Sequence, residues 1–177
     1  PLSHLLLLSL LVGNLTPSLL PGQQGPVIIG SPNFASYESA QLELLKQELP
    51  IGFLLINLFV DQIREQPYEG GGTGFDPLGY DTGLRTIWTR VTLWDRLHPE
   101  EAAAQLVHEA GHAYLWTTCQ QWWGVGAEWL ANGWQSGALE KLGGNPWQVA
   151  WLRDPANNHA LKPGYPVLEA PLRQGCP

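Results

Sequence analysis

The stretch Pro99-Glu100-Glu101-Ala102-Ala103-Ala104-Gln105-Leu106-Val107-His108-Glu109-Ala110-Gly111-His112-Ala113-Tyr114-Leu115-Trp116 runs without a helix breaker after its first residue, apart from Gly111. Proline suits the first helical position, where no intrahelical N–H is needed, and the two glutamates suit the positive N-terminal end. The stretch therefore predicts a long helix. On it, His108 and His112 stand about 40° apart around the axis and about 6 Å apart along it, so both rings can reach one ion. Glu109 is rotated about 60° from His112, placed to flank that ion without ligating it. Two neutral imidazoles as ligands and a nearby carboxylate to take a proton from water are what water-activating zinc chemistry requires.

Toward the C-terminus, a short loop over 119–126 leads to a second helix from about Ala127 to Leu142, stopped by Gly143-Gly144. A hydrolytic zinc site needs a third protein ligand and one open position. Glu128 is the candidate, with fifteen residues between it and His112. An antiparallel helix pair would carry its carboxylate back over both histidines. Asn132, one turn further on the same face, is the candidate to hydrogen-bond the far nitrogen of a ligating ring. Gly111, Ala131, Gly133 and Gly137 read as small residues that let the two helices approach closely. A metzincin site would need Gly at 115 and His at 118, where this chain has Leu115 and Thr118. Without any methionine it cannot form a Met-turn either. That class is excluded.

Toward the N-terminus, Arg85 to Trp94 is rich in β-branched and aromatic residues and reads as a strand. The segment from Glu69 to Gly79, with its glycines and Pro77, reads as a long turn between strands. Residues 59–66 alternate like a strand, while Ile51 to Val60 is a continuous apolar run compatible with either helix or strand. An amphipathic helix is expected over 36–48, opened by Ser36 or Ser39 and ended by Pro50. Pro21 to Pro32 reads as a linker. Before it, His4 to Val12 has the apolar length of a secretory signal core, but no Lys or Arg precedes Lys46 and no Ala-x-Ala site follows. Residues 1–32 are thus expected to be a leader and linker, the leader being a signal or anchor remnant or else an ordinary buried helix. Residues 33–177 are expected to form one domain of α+β class. Methionine is absent even at position 1, so the gene product is expected to begin upstream.

The 177 residues carry 9 Lys+Arg against 16 Asp+Glu, a net charge of −7 with no basic run, which is the wrong sign for nucleic-acid binding. All nine tryptophans lie at or after Trp88, in the half that carries the candidate site. Two cysteines, Cys119 and Cys176, are too few for a disulfide scaffold. They form one bridge if the protein is exported and stay free thiols if it is cytosolic.

His108-Glu109-Ala110-Gly111-His112 followed by Gly126-Ala127-Glu128-Trp129-Leu130-Ala131-Asn132-Gly133-Trp134, together with Gly79-Tyr80-Asp81 and Thr86 to Trp94, resembles the gluzincin branch of the zincin superfamily. The Glu-x-x-Ala-Asn element is similar to that of small bacterial gluzincin-like peptidases. The resemblance covers about residues 78–140. It implies a minimal zincin-like domain: a small sheet, an active-site helix and a following helix with the third ligand. It also implies a Zn2+-dependent peptidase acting on a peptide or protein, with His108, His112 and Glu128 as ligands and Glu109 as general base. The strand from Thr86 to Trp94 would form the cleft rim and pair with substrate. Thermolysin-like members have Asp at the position of Asn132, and no clear C-terminal domain supplies a transition-state group. His159 and Tyr165 are the candidates downstream. His-Glu-Ala-Gly-His-Ala also matches the protease half of membrane AAA proteases, but no phosphate-binding loop is present and Asp154 alone could serve as their distant ligand. The competing expectation is a metal-stabilised binding or structural domain of the same fold without turnover. Membrane association is expected only through the leader, with export or membrane attachment favoured over the cytoplasm.

Overall fold

Ser31-Pro32 sets the start of the first long helix. The Ser31 hydroxyl accepts from the Phe34 N–H at 3.3 Å and Pro32 occupies the first turn, so helix α1 spans Pro32–Glu48. It begins four residues earlier than Ser36, because the capping serine precedes a proline whose φ is already helical. Pro50 opens a second helix, α2 (Pro50–Phe59), which resolves the ambiguous apolar run. The computed structural model describes residues 25–66, 73–77, 83–90, 98–121, 123–158 and 161.

Four strands form one mixed sheet: β1 (Val27–Ile29), β2 (Gln62–Gln66), β3 (Thr73–Asp76) and β4 (Thr86–Arg90). Their order is β1-β2-β4-β3, with β1, β2 and β4 parallel and β3 antiparallel to β4. β1 lies inside the stretch expected to be a linker, so the folded unit takes in residues before position 33. β3 likewise lies inside the expected turn. Ile28, Ile63, Ile87 and Phe75 stand in register across all four strands and make one apolar row. That row faces the core with Phe34 of α1 and Ile56 of α2. On the opposite face Trp88 lies across Gly74, where a Cβ would collide with the indole ring. This is an aromatic side chain covering an edge glycine, and it explains how so glycine-rich a segment pairs as a strand.

The helix α3 (Pro99–Cys119) is the centre of the molecule. Ala103, Leu106, Val107 and Ala110 enter the main core, while the remaining faces of its middle turns are also buried. It ends at Gln120, in the left-handed conformation at φ 54°, whose N–H bonds back to Leu115 and Trp116. Cys119 is disulfide-bonded, and Cys176 lies outside the described residues. Helix α4 (Val125–Lys141) folds back along α3, and α5 (Pro146–Arg153) packs on α4. Gly111 is needed where those long helices meet: a Cβ there would stand 3.3 Å from the Trp134 ring and 3.4 Å from the Ala131 Cα. Gly133 and Gly137 face open space, so close packing is not the reason for them. The architecture is mixed α and β, with five α-helices and a small four-stranded sheet among the described residues. No helix among those residues is long and apolar enough to cross a membrane. The apolar leader lies outside them.

Candidate metal centre

The continuous helix α3 projects His108 and His112 to one side, and the first turns of α4 return Glu128 to meet them. His108 Nε2 and His112 Nε2 are 3.1 Å apart. Glu128 Oε2 lies 3.5 Å from His108 Nε2, and Oε1 lies 3.6 Å from His112 Nε2. With metal–ligand bonds of about 2.0–2.1 Å, neighbouring ligands of a tetrahedral ion are about 3.3–3.4 Å apart. The three side chains thus form a triangle of donor groups, one Glu128 oxygen facing each ring, and could hold a metal ion. Exposure is 8% for His108, 5% for His112 and 6% for Glu128, so solvent does little to screen the carboxylate's pull on the rings.

The electrostatics run the same way. Burial is the largest effect on His108 and favours the neutral ring. The Glu128 carboxylate beside it, the charges of Glu109 and Glu128, and the side chain of Gln135 together outweigh burial, and the pKa is raised. Electrostatics that favour a proton here also favour a divalent cation, which competes with that proton.

Glu109 is 4% exposed and does not belong to the donor triangle. One of its oxygens, Oε1, accepts from the Thr73 hydroxyl at 3.1 Å, and Thr73 also lies 3.3 Å from Gln105 Oε1. Thr73 is two residues before Phe75 on β3, hence on the same inward face of the sheet. The expected rim strand is corrected accordingly. β4 is flanked by β2 and β3, so its backbone groups are committed on both sides, and among the described residues the outer strand beside Glu109 is β3. Positions 91–94 of the expected strand lie outside the described residues.

Asn132 is buried one turn beyond Glu128, but among the described residues it makes no hydrogen bond to either histidine. Gln135, on the same face of α4, is among the side chains that raise the His108 pKa. Around α4, Asn132 is about +40° from Glu128 and Gln135 about −20°, so both were eligible by spacing. Gln105, one turn before Glu109 on the same helix face, was equally open to inspection. Thr73 carried no such signal, since it sits in a glycine-rich run. His159 and Tyr165 lie outside the described residues, as do Gly79, Tyr80 and Asp81. Comparison with family models, curated proteins and solved structures gives no match for this chain.

Proposed function

We propose that this chain is a zinc-dependent peptidase of gluzincin type, with His108, His112 and Glu128 as ligands. The observation that carries the reading is the triangle of three buried donor side chains, close enough to share one ion, beside a separate carboxylate on α3. Two nitrogens and one carboxylate oxygen suit zinc, and three protein ligands leave a coordination position for reactants. An ion there supplies Lewis acidity toward water and toward a peptide carbonyl.

The rest of the chemistry falls to Glu109. Thr73 orients the carboxylate through Oε1, and the carboxylate would accept the proton of the attacking water and deliver it to the leaving amine. The new bond joins the water oxygen to the carbonyl carbon, the C–N bond breaks, and both protons of the water end on the products. Purified protein is expected to carry zinc at one ion per chain, and Glu128→Ala to lose it. Glu109→Gln is expected to keep the ion and lose peptide hydrolysis by at least about 100-fold. Absence of stoichiometric metal from the wild type, or full turnover by Glu109→Gln, overturns the reading.

The burial of all four side chains favours a second reading, a closed structural metal site without turnover. It predicts the same metal content and no cleavage of a broad peptide library by the wild type.

A further inference from the structure

Beside the candidate centre, between α3, α4 and α5, lies an open cavity of about 300 Å³. Two of its walls lead to the centre: Gln135 stands two turns after Glu128 on one face of α4, and Gln105 meets the Thr73 hydroxyl that holds Glu109. Its volume is at the low end for small-ligand pockets, about 300–1,000 Å³, enough for one large side chain. The apolar part of the lining is Leu139, Leu152 and the indoles of Trp147 and Trp151. Trp147 is 70% exposed and Trp151 39%, although each is large enough to have driven its own burial had a core been in reach.

The polar part of the lining sets the sign of the occupant. Among the described residues Glu101 is the only charged one in the wall; the other polar members are glutamines. Among the described residues Glu101 makes no ion pair, whereas Arg153, the one cation on α5, is spent on Glu140 at 2.6 Å. An apolar occupant would desolvate the Glu101 carboxylate without replacing its water. A long basic side chain satisfies both parts. Its methylenes lie along the leucines, while its head meets a carboxylate, amide oxygens and two indole faces. The net charge of −7 favours approach of such a ligand.

We propose that this cavity is a specificity pocket that takes an arginine or lysine side chain of the bound peptide. That the occupant belongs to a peptide rests on the peptidase reading; that it is basic and amphipathic rests on the cavity itself.

The test uses the full chain carrying Glu109→Gln, so that nothing is cleaved. Blocked pentapeptides Ala-Ala-X-Ala-Ala, with X as Arg, Lys, norleucine, Phe or Glu, are titrated by calorimetry and tryptophan fluorescence. The Arg and Lys peptides are expected to bind at least about tenfold more tightly than norleucine, and the Glu peptide most weakly. Adding Glu101→Gln is expected to reduce the preference over norleucine to under about threefold. Adding Trp147→Ala should weaken Arg, Lys and norleucine peptides together. Equal or tighter binding of the norleucine or Phe peptide, or a preference unmoved by Glu101→Gln, overturns the proposal. Should either variant fail to fold, judged by circular dichroism, the ranking in the Glu109→Gln chain alone decides. Digestion of the same peptides by the wild type separates the two readings. Arg-selective binding without cleavage sinks the peptidase and leaves the pocket standing, while cleavage without basic preference does the reverse.

Discussion

Thr73 has one hydroxyl proton and two acceptors within reach, Glu109 Oε1 and Gln105 Oε1. Turning the Gln105 carboxamide over resolves the conflict, since its N–H then donates to Thr73 while Thr73 donates to Glu109. Such a chain holds the carboxylate in one orientation beside the donor triangle. Thr73→Val, which keeps the shape and removes the hydroxyl, should lower kcat about tenfold or more with KM and zinc content nearly unchanged. Thr73→Ser should restore most of the rate. An equal loss in Thr73→Ser would mean that packing rather than the hydroxyl matters. This residue was beyond the reach of sequence spacing, which speaks only about positions on one element. His108, Glu109 and His112 were legible because a single helix fixes their angles. Glu128 followed from folding the next helix back. Whether Asn132 reaches a ring depended on how the two helices cross, and no local pattern carries that.

Among the elements, the helices were read more accurately than the strands. Proline at the first turn marks α1, α2, α3 and α5 alike, and a chain with so many Pro-started helices announces its segment boundaries. β1 and β3 are only three and four residues long and lie in glycine- and proline-rich surroundings, so period-two alternation had no room to show. α1 also holds a feature that its amphipathic pattern hid. Glu38 is 2% exposed, facing a small cavity lined by Tyr37, Thr73, Thr89 and Gln105, with no cation among them. Burial lifts its pKa from 4.5 to about 7. The fold therefore holds this proton more tightly than the unfolded chain does. The stability from Glu38 is full below about pH 4.5, falls as pH rises, and is lost above about 7. The shift corresponds to roughly 3 kcal/mol. Glu38→Gln should raise the unfolding free energy by about 2–3 kcal/mol at pH 8 and by little near pH 4.5, read from urea unfolding at both. A gain independent of pH would show that ionisation of Glu38 is not the cause.

At the scale of the whole molecule, the candidate centre ties together parts that otherwise meet only through packing. α3 belongs to the main core with the sheet and α2, whereas α4 reaches that core through Ala138, Leu139 and the half-buried Trp134. Between them sit buried His108, His112 and Glu128, side chains whose enclosure is unfavourable unless their charges and lone pairs are satisfied together. The tryptophans, which first stand out as a compositional bias, divide on the same plan. Trp134 packs against Tyr114, ring centres 5.4 Å apart, at the helix contact, while Trp147 and Trp151 open onto the cavity. An ion bound by the folded chain and not by the unfolded one adds RT ln(1 + [L]/Kd), about 2.7 kcal/mol at a hundredfold excess over Kd. For a chain of 177 residues, at about 2–4 °C per kcal/mol, zinc should raise Tm by roughly 5–11 °C. A chelator should reverse the gain, and Glu128→Ala should abolish it. Glu109→Gln, outside the donor triangle, should retain it. A melt that is indifferent to both zinc and chelator would mean that α3 and α4 are held by Gly111, Ala131 and Trp134 alone, with no ion between them.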